Sequence, residues 1–195
     1  RTMQSFGHNG YEIIFVNDGS RDRTLLILKD IAQKDANVKV IGFSRNFGHQ
    51  PAVTAGIQTC SGDVAIIIDA DLQDPPELFP EMVKIHVEQN ANVVYGMREK
   101  RKGETLFKKL TALLFYRTIN FLSDTKLPVD TGDFRLIDKH VIEAFKALPE
   151  KNKYIRGLIS WIGFKQVPIM YVREERFAGE TKYPLSKMLK FASTS

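Results

Sequence analysis

The sequence predicts an α/β domain built on a mostly parallel central sheet with helices on both faces. Three observations carry this. Short apolar runs alternate with segments of helical periodicity from Tyr11 to Met97, the pattern of strands joined through packed helices. One run, Ala65 to Ile68, leads straight into Asp69 and Asp71, as a buried parallel strand does when it delivers polar groups at its carboxyl end. The chain has 195 residues, 43% of them hydrophobic, enough for one domain with a continuous core.

Taken in order, Tyr11 to Asn17 (Y-E-I-I-F-V-N) reads as a strand closed by Asp18-Gly19-Ser20, a tight-turn composition. Ser20 or Asp22 is placed to cap the helix that follows. Thr24 to Ala36 carries Leu25, Leu28, Ile31 and Ala32 at helical spacing. Val38 to Phe43 is a second strand, followed by the turn Arg45-Asn46-Phe47-Gly48-His49; Pro51 to Cys60 is a short helix. The stretch Val64 to Asp74 is next. Pro75-Pro76 opens another helix, where proline is tolerated in the first turn, with Leu78, Met82, Val83 and Ile85 as its apolar side. Asn92 to Met97 is a strand.

The second half reads differently. Arg98 to Lys109 is strongly basic, and from Leu106 a helix presents a wide apolar face beside that basic end, as an interfacial helix does. Thr131 to Asp138 is a short strand, Lys139 to Leu148 and Tyr154 to Ile162 are helices, and Phe164 to Val172 is a last strand whose Pro168 points to an edge or a bulge. Arg173 to Tyr183 is a charged, glycine-containing loop, and Pro184 to Phe191 begins a final helix. Residues 11–97 and 98–195 thus read as two halves of one domain spanning 1–195. Both ends look cut: Arg1 to Gly10 reads as the tail of a helix and a loop, and the chain stops as a helix is under way.

Charge and cysteine content narrow the function. The formal net charge is +5 and the pI about 9.2, which fits nucleic acid, an anionic membrane surface or phosphate-bearing substrates. The basic run beside Leu and Phe favours a bilayer interface over a nucleic-acid groove. A single cysteine, Cys60, excludes an internal disulfide framework and a cysteine-built metal site; its apolar helical setting makes it a small core residue. No secretory leader is present and no apolar run is long enough to span a bilayer. The reducing cytosol, or its membrane face, follows as the expected setting.

The candidate chemistry lies at strand ends. Asp69 and Asp71 are two apart, so a regular strand would turn both to one side. Close carboxylates repel unless a cation lies between them, and oxygen ligands few in number suit Mg²⁺ or Mn²⁺ held jointly with substrate phosphates. Gln73 adds a neutral oxygen that can reach the same cation as Asp71, whereas Asp74, next to Pro75-Pro76, reads as a helix cap. A bare D-x-D is more often a capped polar turn. Asp18 lies where a base or ribose would meet the sheet edge, against the plainer reading of a turn residue. His49 can do acid–base work, but a histidine at a helix start is more often structural. Asp133 and Arg135 are either a mutual surface ion pair, or a carboxylate near the reacting carbon beside a guanidinium on phosphate. The loop Arg173 to Tyr183 is either a solvated charged loop or a phosphate clamp hinged at Gly179.

Together these motifs resemble a known family. F-V-N-D-G-S-R-D, R-N-F-G-H-Q, D-A-D-L-Q-D-P-P-E, T-G-D-F-R-L-I-D and R-F-A-G-E-T-K-Y-P-L-S-K-M-L-K-F-A occur in order over nearly the whole chain. They are similar to those of the family-2 glycosyltransferases that act on polyprenyl phosphates, such as bactoprenol glucosyltransferases and dolichol-phosphate mannose synthases. The resemblance implies a GT-A fold, a nucleotide-sugar donor (a UDP-sugar by the bactoprenol-like tail), Mg²⁺ or Mn²⁺, and inverting transfer to a lipid phosphate at the cytoplasmic face of the cell membrane, with no nucleic-acid partner and room for a homo-oligomer. By motif position it implies Asp69, Asp71 and Gln73 at the metal and diphosphate, Asp18 in the nucleotide pocket, Arg135, Arg176 and Lys182 on phosphates, and Asp133 where related enzymes with hydroxyl acceptors keep a base. It likewise implies that residues 11–97 are a nucleotide- and metal-binding half and 98–195 an acceptor-binding, membrane-facing half. Family members begin with an apolar strand ending P-x-Y/F-N-E, and nothing like it precedes Tyr11. The resemblance sets that strand between those of Tyr11 and Val64, so a break in the sheet is expected there. Two other readings remain: a haloacid-dehalogenase-like phosphatase, which also sets D-x-D after an apolar strand, and a truncated, inactive nucleotide-binding or membrane-surface module.

Overall fold

A computed structural model describes residues 10–98, 131–150 and 153–172. The predicted basic run beyond Arg98, the helix from Leu106, Arg176, Lys182 and the final helix lie outside the described residues.

The alternation expected from the sequence is present. β1 (Ile13–Asn17), α1 (Thr24–Lys34), β2 (Val38–Gly42), α2 (His49–Thr59) and β3 (Val64–Ile67) follow one another. A 3₁₀ turn (Pro76–Leu78) leads into α3 (Phe79–Gln89) and β4 (Val93–Arg98). Further along come β5 (Thr131–Asp138), α4 (Lys139–Ala147), α5 (Ile155–Ile162) and β6 (Gln166–Tyr171). α2 begins two residues before the predicted Pro51, because proline occupies a first-turn position where its missing N–H is not needed; this makes His49 the first helical residue.

Strand directions are mostly parallel, with one reversal. β1 and β2 pair in parallel. In the four-stranded sheet, ordered β3-β5-β4-β6, β6 is parallel to β4, while β5 is antiparallel to both β3 and β4. Among the described residues the β1–β2 pair and the four-stranded sheet share no ladder, which is the break expected between the Tyr11 and Val64 strands. β6 pairs with β4 alone in this sheet, and its exposed Pro168 sits at an edge, where a missing N–H is tolerated.

Side-chain alternation along β5 feeds two cores. Ile137 packs with Val93, Ile57 of α2, Val141 and Phe145 of α4, and Ile155 and Ile159 of α5. Phe134 and Leu136 pack on the other face with Val94, Met82 of α3, Ile169 and Tyr171. Helices therefore cover both faces. Cys60 is half-buried against the first core, as expected.

β5 is irregular at its start. Between the pairs Tyr95↔Arg135 and Met97↔Thr131 the register advances two residues on β4 and four on β5. The extra residues include Asp133, and bulges of this kind re-aim side chains beside functional sites. Gly96 faces the irregularity: a Cβ there would come within 2.7 Å of the Phe134 ring and 2.8 Å of the Tyr171 ring. Only glycine lets both rings lie across the strand.

Candidate active site

Asp69 follows β3 by two residues, and the antiparallel register Ile67↔Arg135 brings the start of β5 alongside it. Asp133, from the bulge, is 8% exposed. Its Oδ2 is 2.7 Å from His49 Nε2, and its Oδ1 accepts from Arg156 Nε at 3.0 Å. The other His49 nitrogen, Nδ1, is 3.7 Å from Asp69 Oδ1. The starts of α2 and α5, the end of β3 and the bulge of β5 thus meet around one imidazole.

Electrostatics follow from this geometry. Burial alone would raise the Asp133 carboxyl, but the His49 hydrogen bond and the charges of Arg156, His49 and Arg135 overcome it and hold the group at about 2. The same hydrogen bond raises His49 above its ordinary range, against the effect of burial. Asp69 is raised, first by burial; His49 opposes this, and the neighbouring carboxylates Asp71, Asp74 and Asp133 add to it. Asp133 is hydrogen-bonded to His49 and ion-paired to Arg156 rather than to Arg135, so the surface ion pair with Arg135 read from the sequence does not form.

Arg135 is 3% exposed. Its Nη2 donates to the Gly132 carbonyl at 2.9 Å, which braces the bulge that carries Asp133. Its Nε is buried without a hydrogen-bond partner, and burial lowers the guanidinium to about 10. A buried donor left unmet costs about 1–3 kcal/mol.

The loop after β3 is shaped residue by residue. Asp69 and Asp71 lie beyond the last strand residue, Ile67, so strand alternation does not govern them. Asp71 Oδ1 accepts the Gln73 amide at 3.1 Å, and Leu72 between them has φ 59° while 66% exposed. A bulky residue in the left-handed region is strained. Gln73 and Asp74 are buried. Asp74 does not cap a helix, contrary to the sequence reading: Pro75 precedes the 3₁₀ turn and Leu78 precedes α3, neither with a side-chain cap. Asp74 instead accepts from the buried Tyr171 hydroxyl at 2.5 Å.

Asp18 holds the loop that precedes α2. Its two oxygens accept the amides of Phe47 at 2.7 Å and Gly48 at 3.0 Å, and its carbonyl accepts from Asn46 Nδ2 at 3.1 Å. Asp18 therefore braces the loop that ends in His49. Asp22 Oδ1 accepts the amide of Thr24, the first residue of α1.

A divalent cation fits these residues. Among the described residues no three His, Cys, Asp or Glu side chains converge to hold a metal alone. Mg²⁺ and its kin commonly take one or two carboxylates and complete their shell with substrate phosphates and water. Asp69 is raised first by burial and further by the carboxylates of Asp71, Asp74 and Asp133, a crowding that such an ion relieves.

The chain matches the model of glycosyl transferase family 2 over residues 2–145. It belongs to that family. The family-2 chain is 56% identical over 182 residues to the uncharacterized glycosyltransferase YkcC of Bacillus subtilis (strain 168), covering 93% of this chain and 56% of that protein. It is 41% identical over 183 residues to the bactoprenol glucosyl transferase of Shigella phage SfV, covering 94% of this chain and 59% of that protein. The chain thus spans a little over half the length of these relatives. Among solved structures it resembles glucosyl-3-phosphoglycerate synthase from Mycobacterium tuberculosis in complex with Mn²⁺, UDP and glucosyl-3-phosphoglycerate. The TM-score is 0.58 at 18% identity, over 93% of this chain and 65% of that one. The fold is that of the GT-A enzymes, as the sequence motifs implied. Family membership also decides against the haloacid-dehalogenase-like phosphatase.

Two residues of the candidate site are undervalued or missed by sequence reasoning. His49 reads as more often structural, and its position at the strand-end turn is the available signal. Arg156 lies in an amphipathic helix with nothing local to mark it. No helix among the described residues is long and apolar enough to cross a membrane.

Proposed function

We propose that this chain is the sugar-transferring domain of an inverting glycosyltransferase, moving a sugar from a UDP-linked donor to a polyprenyl phosphate at the cytoplasmic face of the cell membrane. The observation that carries the reading is the convergence of Asp69, at the carboxyl end of β3, with the His49–Asp133–Arg156 cluster. The relatives named bactoprenol glucosyl transferase and the UDP- and Mn²⁺-bound fold neighbour support it.

Asp69, Asp71 and Gln73 would hold Mg²⁺ or Mn²⁺, which when bound neutralises the donor diphosphate as it leaves. Asp18 would border the nucleotide. Arg135, Arg176 and Lys182 would supply positive charge toward the donor and acceptor phosphates. The acceptor needs no strong base, because a phosphate monoester has a second pKa near ~6 and is largely dianionic at neutral pH. One acceptor oxygen attacks the anomeric carbon from the face opposite the diphosphate. The new C–O bond forms as the old one breaks, and UDP departs with the electron pair. No proton moves to the protein. Asp133, held at about 2, is therefore a positioning and electrostatic residue rather than a proton acceptor, and alignment and charge supply the rate.

The test is sugar transfer to undecaprenyl phosphate by the full-length protein, with a panel of nucleotide sugars and the lipid product weighed by mass spectrometry. Asp71→Ala should reduce transfer by about 100-fold or more, since a metal ligand and diphosphate partner is lost. Undiminished transfer overturns the metal assignment, and a chain that binds UDP but glycosylates no lipid phosphate leaves the inactive-module reading in its place.

A further inference from the structure

The Tyr171 hydroxyl joins three parts of the chain that are remote in sequence. It donates to Asp74 Oδ1 at 2.5 Å, and Arg98 Nε lies 3.5 Å from its oxygen. Asp74 ends the D-A-D-L-Q-D loop. Arg98 is the last residue of β4, and Tyr171 the last of β6. Tyr171 is 4% exposed and Asp74 2% exposed. The ring is fixed edge-on against Phe134, 5.5 Å between centroids, in the space Gly96 leaves free.

The loop needs such an anchor. Leu72, at φ 59° and largely exposed, makes too little buried contact of its own to hold a left-handed conformation, and strain of this kind persists only where the surroundings over-determine it. The Asp71–Gln73 turn bond fixes the loop from within. The Tyr171–Asp74 bond fixes its far end to the sheet.

We infer that Tyr171 is a positioning residue for the metal- and diphosphate-binding loop: its hydroxyl, through Asp74, sets where the Asp69 and Asp71 carboxylates stand. The inference rests on the reading of Asp69 and Asp71 as the metal and diphosphate platform. Groups behind ligands typically change metal affinity or activity by about 10–100-fold when removed. Tyr171 touches no substrate in this role, so its effect should appear as a changed metal requirement.

The experiment measures Mn²⁺-dependent UDP binding by calorimetry on the full-length protein, alongside thermal melts. Tyr171→Phe should raise the Mn²⁺ concentration for half-maximal UDP binding by about 10-fold, while UDP binding at saturating Mn²⁺ returns to near the wild-type level. In an Asp74→Ala background, Tyr171→Phe should add nothing further. Asp74→Asn, which keeps an acceptor oxygen, should restore most of the affinity. A Tyr171→Phe protein that melts lower but keeps the wild-type Mn²⁺ requirement overturns the inference, as does an effect that adds fully to that of Asp74→Ala. Should Tyr171→Phe not fold, the comparison of Asp74→Ala with Asp74→Asn decides: equal Mn²⁺ requirements overturn it. Wild-type protein that binds UDP without regard to Mn²⁺ defeats the underlying metal reading, a result distinct from either.

Discussion

His49 Nε2 and Asp133 Oδ2 stand 2.7 Å apart although 84 residues separate them. The contact joins the first residue of α2 to the bulge of β5, and it gives the half-exposed imidazole a fixed orientation toward Asp69. His49→Ala leaves Asp133 paired with Arg156 and removes the imidazole beside Asp69. Sugar transfer should fall by about 10–100-fold, the range seen when groups supporting a metal site are removed, with the melting temperature lowered by only a few degrees. His49→Gln, which keeps a donor for Asp133, should recover part of the activity. Steady-state kinetics of the two variants check this.

Asp133 supplies the pH prediction. With its folded value held at about 2, it carries no proton over the working range, so it cannot produce an acidic limb in the rate profile. The limb that does appear should rise through roughly pH 6 as the acceptor phosphate loses its second proton. Asp133→Asn should lower the plateau and leave that midpoint in place. A limb that disappears or moves by a full unit in the variant would show that Asp133 is the titrating base.

Glu12 offers a stability test outside the His49–Asp133–Arg156 cluster. Its carboxylate receives Lys39 Nζ at 2.6 Å and the Ser61 amide and hydroxyl at 2.7 and 2.9 Å, tying β1, β2 and the turn before β3. Burial pushes the carboxyl up, but Lys39 and Ser61 bring it from 4.5 down to about 2. Because the folded value is depressed, the unfolded chain takes up the proton first as pH falls. The contribution is therefore present above about 4.5 and lost as pH drops toward about 2. For a pair this near the surface it amounts to roughly 1 kcal/mol. Glu12→Gln should melt below wild type at neutral pH, and the two curves should converge under acid.

Gly19 tests the brace on the His49 loop. At φ 65°, a Cβ would stand 2.3 Å from the Arg45 carbonyl carbon and 2.5 Å from the Asn46 nitrogen. These are backbone atoms with no rotamer to change. Gly19→Ala should cost about 2 kcal/mol or more in denaturant unfolding, and activity should fall beyond what unfolding explains, since Asp18 and the Phe47 and Gly48 amides move with the loop. Full activity in the folded fraction would separate the brace from the chemistry.

The sequence is most readable where local pattern carries the information. The alternation of β1 to β4 with α1 to α3 follows from apolar periodicity, and Asp69 and Asp71 stand out because acid ends an apolar run abruptly. The reversal of β5 is not readable, because a strand's apolar pattern has no direction. Asp74 resembles a cap because Pro75-Pro76 follows it; its actual partner, Tyr171, lies 97 residues on. Arg156 and Asp133 meet across 23 residues and a change of element, and no spacing rule reports such a contact.

β5 carries its polar residues at one end and a lock at the other. Asp138 accepts from Asn92 Nδ2 at 2.8 Å and from the Val141 amide at 3.0 Å, and its own amide donates to the Asn92 carbonyl at 3.0 Å. A strand slipped by one residue exchanges its two faces. Such a slip would carry Phe134 to the face that bears Asp133 and put Asp133 among the rings of the opposite core. The pins around Asp138 thus hold the register during assembly: a short insertion or deletion inside Thr131–Asp138 should be far more damaging than one of equal size in a connecting loop, because it takes Asp133 away from His49 and Arg156 while leaving the strand intact.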